Sequence, residues 1–133
     1  MCPFNRDLNG HLLVGSTPLA EIASRFGTPL YVYSGDGIRD DFSRFASAVA
    51  PVSGKVYFAL KANSALGVIA LLARQGAGAD IVSGGELDRA LAAGITPANI
   101  VFSGVGKSRT EIAQALSAGI GQINAESPAE LDS

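Results

Sequence analysis

The stretch "KVYFALKANS", residues 55–64, combines an uninterrupted apolar run with a lysine at the end of that run. Five apolar residues follow one another from Val56 to Leu60, and Lys61 comes directly after them. A run that is apolar throughout, rather than alternating, is typical of a strand covered on both faces, as in a parallel sheet. The stretch therefore predicts a buried parallel strand with Lys61 at its carboxyl end, where α/β proteins bind their ligands.

Short apolar runs recur along the chain at intervals of a little over twenty residues. The segments between them place apolar residues at the i, i+3, i+4 spacing of one buried helix face. Residues 55–133 are therefore predicted to fold as β-α-β-α-β-α-β, with a further helix beginning at the end. Such units build either an open doubly wound sheet or a (β/α)8 barrel. The four runs are Val56–Leu60, Ala79–Val82, Ile100–Phe102 and Gln122–Asn124.

Serine-glutamate boxes and glycines mark the predicted helix boundaries. In an S-x-x-E box the serine caps the third amide of the helix, and the glutamate bonds back to the amide of the serine. A glycine after the last turn suits the left-handed conformation in which many helices end. The boxes are Ser83–Glu86, Ser108–Glu111 and Ser127–Glu130, and the helix-ending glycines are Gly76, Gly94 and Gly119.

The first fifty residues follow a different pattern. The segment "HLLVG" near residue 11 predicts a small strand, and Thr17-Pro18 predicts a helix start with proline at the first helical position. That helix is short and ends before Gly27. A strand at Leu30–Tyr33 and a helix at about Ile38–Ala50 complete this region.

The length of 133 residues suits one ordinary domain, yet it is short for a complete barrel. A (β/α)8 barrel takes roughly 250 residues, so four βα units amount to half of one. The chain is expected to form either an open sheet of four or five strands or part of something longer. Its end, "SPAELDS", favours the second alternative, because it stops about one turn into a helix.

The composition is that of a soluble globular protein, with 47% hydrophobic residues, 17% charged residues and a net charge of −2. No basic block is present, which argues against nucleic acid or an anionic membrane as the main partner. The sequence shows neither a signal peptide nor an apolar stretch long enough to span a bilayer. A single cysteine, Cys2, cannot form an internal disulfide and favours a cytoplasmic protein.

Lys61 is the first candidate functional residue. A lysine desolvated at the active edge of a sheet can offer a neutral amine as a nucleophile or Schiff-base former. The alternative is an ordinary strand-end lysine that reaches water. Asp80, inside an apolar run, needs a cation or hydrogen bonds, and Lys61 on the neighbouring strand is its expected partner. Ser83 and Glu86 follow the same run, where they either serve a site or only cap a helix.

Three other patterns are weak as functional motifs. "GKS" at residues 106–108 resembles the end of a P-loop, but Val101 stands where its first glycine belongs, so Lys107 is expected to face solvent. "GAG" at residues 76–78 precedes a strand, whereas a dinucleotide fingerprint follows one. His11 is the only histidine, and we expect a structural role for it and no metal site.

Five segments taken together resemble a known family. In chain order they are "FGTPLYVY", "YFALKANS", "GAGADIVSGGEL", "IVFSGVGKS" and "INAESPAEL". This series is similar to the N-terminal part of the diaminopimelate decarboxylases, which belong to the fold-type III pyridoxal-phosphate enzymes. The ornithine and arginine decarboxylases and alanine racemase are their relatives. The resemblance extends from about Leu12 to the end of the chain.

The resemblance implies a fold, a cofactor and a set of site residues. The fold would be α/β, the N-terminal portion of a (β/α)8 TIM-like barrel with parallel strands, about half of it present. Residues 1–34 would contribute to a second, β domain, and residues 35–133 would form the first half of the barrel. Lys61 would be the catalytic residue that holds pyridoxal 5'-phosphate as an internal aldimine. Asp80, Ser83 and Glu86 would contact the cofactor.

The resemblance also implies an activity. The full-length enzyme would decarboxylate meso-2,6-diaminopimelate to L-lysine and CO2, acting as a cytoplasmic homodimer on a small amino acid. Several parts of that family's site lie outside this sequence, including the glycine-rich phosphate loop, so the chain alone is expected to be inactive. Two alternatives remain: a non-catalytic half-barrel or split-enzyme subunit that acts through assembly, and a decarboxylase of ornithine or arginine.

Overall fold

A computed structural model describes residues 4–131 of the chain, which divides after Arg44 into two compact units. Each unit contains its own sheet. The boundary falls within a long helix, α2 (Gly35–Val49). The predicted division between residues 34 and 35 stays a prediction. Among the residues that the structure describes, no helix combines the length and the hydropathy that a membrane span needs.

The first unit contains a small antiparallel sheet of three strands in the order β1-β2-β3. They are β1 (Phe4–Arg6), β2 (Leu12–Val14) and β3 (Thr17–Pro18), and helix α1 (Leu19–Phe26) follows. Asp7 stabilises the β1–β2 turn, accepting hydrogen bonds from the amides of Asn9 and His11. The imidazole of His11 lies 2.9 Å from Asp7 Oδ2, and this hydrogen bond holds the pKa of Asp7 below its usual range. His11 therefore has a structural contact, in agreement with its prediction.

The short helix predicted to start at Thr17-Pro18 and to end before Gly27 is present, but it begins at Leu19, with Pro18 as its N-cap residue. A two-residue turn at Gly15 and Ser16 folds Thr17 and Pro18 back to pair with Val14 and Leu13. Gly15 has a φ of +58°, which suits such a turn. The prediction of a strand at Leu30–Tyr33 is wrong. The side chains of this segment alternate between half-buried and exposed, but no neighbouring strand in the described part of the chain pairs with it.

The second unit contains four parallel strands in the order β4-β5-β6-β7. This order follows the chain without reversal, as in a barrel wall, whereas a doubly wound sheet reverses its strand order at a switch point. The structure therefore decides between the two architectures. The strands are β4 (Tyr57–Ala59), β5 (Gly78–Ile81), β6 (Ile100–Phe102) and β7 (Gln122–Ile123). The helices are α3 (Leu66–Arg74), α4 (Gly84–Ala92), α5 (Arg109–Ala118) and α6 (Pro128–Leu131).

The hydrophobic core lies between one face of this sheet and the helices. Ile81 and Phe102 lie side by side in adjacent strands, and both are fully buried. Helices α3, α4 and α5 contribute Ile69, Leu87 and Ala115 to the same cluster. The opposite face carries the residues that alternate with these, and its side chains are only partly buried. The apolar runs thus predicted the strands correctly, whereas the coverage expected on both faces is complete only on the helix side of β5 and β6.

The three serines cap their helices as predicted, but the glutamates of the three boxes make different contacts. Only Ser108 and Glu111 form the complete reciprocal box. Glu86 instead accepts from the amide of Val82, and Glu130 from the amide of Glu126, one residue before the predicted position in each case. Ser83 and Ser127 still accept from the third amide of their helices. The predicted helix-ending glycines, Gly76, Gly94 and Gly119, all have positive φ.

Candidate active site

Lys61 lies directly after β4, in a 3-10 turn formed by Leu60–Ala62. Leu60 is fully buried and anchors this turn in the core, while Lys61 is exposed, so the desolvation considered for Lys61 from the sequence is not observed. The amide of Asn63 donates to the carbonyl of Leu60, and its side chain accepts from the amide of Ala65 at 3.0 Å. A fixed turn therefore presents the lysine at the carboxyl end of the strand.

The Lys61 amine is not engaged by any hydrogen bond or ion pair with residues 4–131. The loop around it is held by other groups, since Arg89 of α4 donates to the carbonyl of Ser64 at 3.1 Å. The chain thus fixes the backbone of this loop and leaves the amine available. That combination suits a covalent attachment point, because a lysine bound to a carboxylate has to give up that contact before it reacts.

The face of the four-stranded sheet that is opposite the helices is called the open face. A chain of hydrogen bonds crosses this open face at the carboxyl end of the strands. Ser103, just after β6, donates from Oγ to Asp80 Oδ1 at 2.6 Å. Asn124, just after β7, donates from Nδ2 to Ser103 Oγ at 3.1 Å. Gln122 donates from Nε2 to Asn124 Oδ1 at 2.6 Å. The four polar side chains come from three adjacent strands or their ends and share one face.

Three of these residues, Asp80, Ser103 and Asn124, line a shallow cavity of about 310 Å³ together with Tyr57 and Val101. The Tyr57 ring packs directly against Gly78, because a Cβ at Gly78 would lie 2.5 Å from that ring. The same Cβ would lie 2.6 Å from the carbonyl oxygen of Asn99. Close packing across the strands therefore requires glycine at Gly78, the second glycine of "GAGAD".

The predicted ion pair between Asp80 and Lys61 is wrong. Asp80 is paired with Ser103, and no ion pair joins the two charged side chains in the part of the chain that the structure describes. The strand register sets Asp80 beside Ala59, two residues before the lysine. A 3-10 turn begins directly after Ala59 and ends the strand. Lys61 therefore lies outside the strand pairing and is not placed beside Asp80.

Ser83 and Glu86 are both used in capping α4. Ser83 Oγ accepts from the amide of Glu86 at 3.2 Å, and Glu86 Oε2 accepts from the amide of Val82 at 2.7 Å. These contacts account for both side chains without a ligand. Their predicted contact with a cofactor therefore stays a prediction.

Glu111 of α5 occupies the first turn of α4. Its Oε1 accepts from the amide of Gly84 at 2.9 Å, and its Oε2 accepts from the amide and hydroxyl of Ser108. These hydrogen bonds lower the pKa of Glu111 from 4.5 to about 2, and the bond from the amide of Gly84 makes the largest contribution. A phosphate group would meet a carboxylate at this position, so we do not assign phosphate binding to the start of α4.

Lys107 is buried, and the prediction that it faces solvent is wrong. Its ammonium donates to the carbonyls of Gly104 at 2.6 Å and Asn124 at 2.8 Å, and lies 3.0 Å from Glu130 Oε2. It also lies 5.9 Å from the centre of the Phe102 ring. A lysine engaged on all sides is unsuited to react as a nucleophile.

The residues present fit the cofactor that the resemblance implies. An aldehyde cofactor needs an accessible amine, which Lys61 supplies, and polar groups at the same edge of the sheet. Asp80, Ser103 and Asn124 supply the polar groups. Ser103 and Asn124 are not among the site residues predicted from the sequence, although Ser103 directly follows one of the four runs and Asn124 is the last residue of another. No cluster of three or more His, Cys, Asp or Glu side chains suited to a metal occurs within residues 4–131.

Comparisons with known proteins agree with this geometry. The family described as pyridoxal-dependent decarboxylase, pyridoxal binding domain, matches residues 36–133. The diaminopimelate decarboxylase of Pseudomonas aeruginosa is 51% identical over 124 residues, which are 93% of this chain and 30% of that protein. That of Zymomonas mobilis is 48% identical over 135 residues, covering 99% of this chain and 32% of its own length. The chain thus spans about a third of the length of these relatives.

A solved structure gives the same result for the fold. The diaminopimelate decarboxylase of M. jannaschii, in complex with L-lysine, superposes with a TM-score of 0.94 at 34% identity. The superposition covers 98% of this chain and 31% of that one. It confirms the predicted fold, the N-terminal part of a (β/α)8 barrel of the fold-type III class. The chain therefore belongs to the pyridoxal-dependent decarboxylases, in the family of their pyridoxal-binding domain.

Proposed function

We propose that Lys61 is the residue through which this chain binds pyridoxal 5'-phosphate covalently. The observation that carries the proposal is the unengaged amine of Lys61, presented by a fixed turn at the carboxyl end of β4. This is the edge of a parallel barrel wall where catalytic groups gather. The position corresponds to the lysine motif by which the sequence resembles the diaminopimelate decarboxylases.

The reaction of the complete protein is the decarboxylation of meso-2,6-diaminopimelate to L-lysine and CO2. Pyridoxal phosphate, when bound, supplies the electron sink for the pair of electrons that the departing carboxylate leaves behind. Lys61 would hold the cofactor covalently through Nζ. Asp80 offers a carboxylate oxygen, Oδ2, to a protonated nitrogen at the edge of the sheet. Ser83 and Glu86 are the further proposed contacts, in addition to their capping roles.

Several elements of this proposal rest on the likeness to relatives three times as long. They are the choice of diaminopimelate over ornithine or arginine, a homodimer of the complete enzyme, a cytoplasmic location and the inactivity of this chain by itself. The described part of the site contains an attachment lysine and two proposed carboxylate contacts, Asp80 and Glu86, with no arginine among the residues that line its cavity. Recognition of the substrate's carboxylates is accordingly assigned to the rest of the protein.

Borohydride trapping tests the attachment site. The sequence contains three lysines, Lys55, Lys61 and Lys107. The chain is incubated with pyridoxal phosphate and reduced, and the modified peptide is identified by mass spectrometry. We expect selective labelling of Lys61, loss of the label in Lys61→Ala, and a full label in Lys55→Ala.

Lys55 is a matched control because it is also exposed and precedes the same strand that Lys61 follows. Equal labelling of Lys55 and Lys61 would contradict the proposal, since it would show exposure alone to be responsible. Release of CO2 from meso-2,6-diaminopimelate and from ornithine, measured with the same preparation, tests the substrate and the expected inactivity of the chain alone.

A second candidate function is assembly without catalysis. Among the described residues, β4 and β7 are each paired along one edge only, and an unpaired strand edge is a template for association. A half-barrel or split-enzyme subunit would use those edges to bind a complementary chain. Sedimentation analysis distinguishes this function, which predicts a stable complex whether or not pyridoxal phosphate is present.

A further inference from the structure

We propose that Ser103 and Asn124 are positioning residues that hold the Asp80 carboxylate in place for the cofactor site. The inference rests on the proposed function of Lys61 and extends it to residues that the cofactor need not touch. Asp80 belongs to β5, Ser103 follows β6, and Asn124 follows β7. The three side chains therefore connect neighbouring strands at the edge where Lys61 lies.

The backbones of both positioning residues are fixed by the sheet. The amide of Ser103 donates to the carbonyl of Ile81 at 2.8 Å, and that of Asn124 donates to the carbonyl of Phe102 at 2.9 Å. These bonds extend the parallel ladder by one residue on each strand. The carbonyl of Asn124 also accepts from the buried ammonium of Lys107 at 2.8 Å. Neither residue can shift without loss of these contacts.

The hydrogen bonds have a defined direction. Gln122 donates to Asn124 Oδ1, which turns the Asn124 amide nitrogen towards Ser103 Oγ. Because this nitrogen only donates, the single hydroxyl proton of Ser103 is directed to Asp80 Oδ1. Asp80 is therefore an acceptor in this bond, as suits an ionised carboxylate. Its other oxygen, Oδ2, has no hydrogen-bond partner within residues 4–131 and stays available to a protonated nitrogen.

Titration with pyridoxal phosphate tests this inference. The measured quantity is the concentration that gives half-maximal borohydride-trapped label on Lys61. Ser103→Ala removes the donor to Asp80, and we expect this concentration to rise about tenfold. Asn124→Ala frees the serine hydroxyl to rotate, and we expect a rise of about threefold. Ser103→Thr keeps the hydroxyl and should remain within about twofold of the original chain.

A double-mutant cycle separates positioning from a general structural effect. In an Asp80→Asn background, Ser103→Ala should cause no further loss, because the carboxylate that it positions is gone. Ser117→Ala is the control, since Ser117 is an exposed serine of α5 away from the cavity. Far-ultraviolet circular dichroism checks that each variant is folded, and Asn124→Ala provides the second test if Ser103→Ala is not.

The outcomes distinguish the inference from the function on which it rests. Selective Lys61 labelling that is weakened by Ser103→Ala only when Asp80 is present supports both. Labelling that is unchanged in Ser103→Ala and Asn124→Ala, or equally weakened with and without Asp80, overturns the inference and leaves the attachment site in place. Absence of selective Lys61 labelling in the unmodified chain overturns both.

Discussion

The ammonium of Lys107 lies 3.0 Å from Glu130 Oε2, in a pair whose side chains are 1% and 12% exposed. The same ammonium donates to the carbonyls of Gly104 and Asn124. One buried cation thus connects the loop after β6, the end of β7 and helix α6. All three partners lie at the carboxyl edge of the sheet, where Lys61 also lies, and the contact orders the loops of that edge.

Replacement of Lys107 by methionine should destabilise the chain substantially. Methionine keeps most of the apolar stem, but it leaves Glu130 and two carbonyl oxygens without their donor. Because Lys107 is buried while Glu130 is only partly so, we expect a loss in the free energy of unfolding that is clearly larger than that caused by replacing an exposed lysine. Urea denaturation followed by circular dichroism measures this quantity.

Lys55→Met is the control for this prediction. Lys55 is exposed, and its replacement should change the free energy of unfolding by less than about 0.5 kcal/mol. If Lys107→Met proved as stable as Lys55→Met, the pair of Lys107 and Glu130 would contribute nothing to the order of the carboxyl edge.

Glu111 should make the stability of the chain depend on pH in the acid range. Its pKa in the folded chain is about 2, below the ordinary value of 4.5, because it accepts hydrogen bonds from Gly84 and Ser108. The folded state therefore binds fewer protons than the unfolded state between these values. The contribution of Glu111 is fully present above pH 4.5 and is lost as the pH falls towards 2.

Glu111→Gln tests this dependence. The variant should lose about 1 kcal/mol at neutral pH, because charge-assisted bonds to two helix starts become neutral ones. Its stability should also fall less steeply than that of the original chain as the pH is lowered from 5 to 2. Glu21→Gln, at an exposed position in α1, is the control. Parallel acid profiles for Glu111→Gln and the original chain would show that this carboxylate does not link α4 to α5.

The sequence predicted the strands of the second unit because most side chains on both faces of these short runs are apolar, although only those on the helix side of β5 and β6 are fully buried. It predicted the position of Lys61 for a related reason, because a charged residue directly after such an apolar run must lie at the edge of the sheet. Lys107 could not be placed in the same way. Its burial depends on Glu130, which is 23 residues away, and on two carbonyls whose positions only the folded loops define.

The polar network on the open face is a second example of this limit. Ser103 and Asn124 look like ordinary loop residues in the sequence. Their relation to Asp80 arises from the register of three strands, which sets Asp80 beside Val101, and Val101 beside Gln122. In the first unit, the two-residue turn at Gly15 and Ser16 likewise pairs Thr17 and Pro18 with β2, so that the helix begins only at Leu19. Local propensity is weaker than strand pairing at such positions.

Two glycines should respond to alanine in opposite ways. A Cβ at Gly121 would lie 2.2 Å from the carbonyl oxygen of Ala98, so the backbone before β7 must move. We expect Gly121→Ala to destabilise the chain by at least about 2 kcal/mol. Gly67, in α3, has nothing within 4 Å of its Cβ position, and Gly67→Ala should stabilise by about 0.5–1 kcal/mol. Urea denaturation of both variants would refute this packing if Gly121→Ala were the more stable of the two.

Leu60 and Lys61 are adjacent, and the structure gives them separate roles that one pair of variants can distinguish. Leu60 is fully buried, so Leu60→Ala should cost about 2–4 kcal/mol in the free energy of unfolding. Lys61 is exposed and unengaged within residues 4–131, so Lys61→Ala should change stability by less than about 0.5 kcal/mol. The pyridoxal label should disappear from Lys61→Ala. A large loss of stability in Lys61→Ala would mean that the lysine holds the turn together, in which case a free amine for the cofactor would not exist.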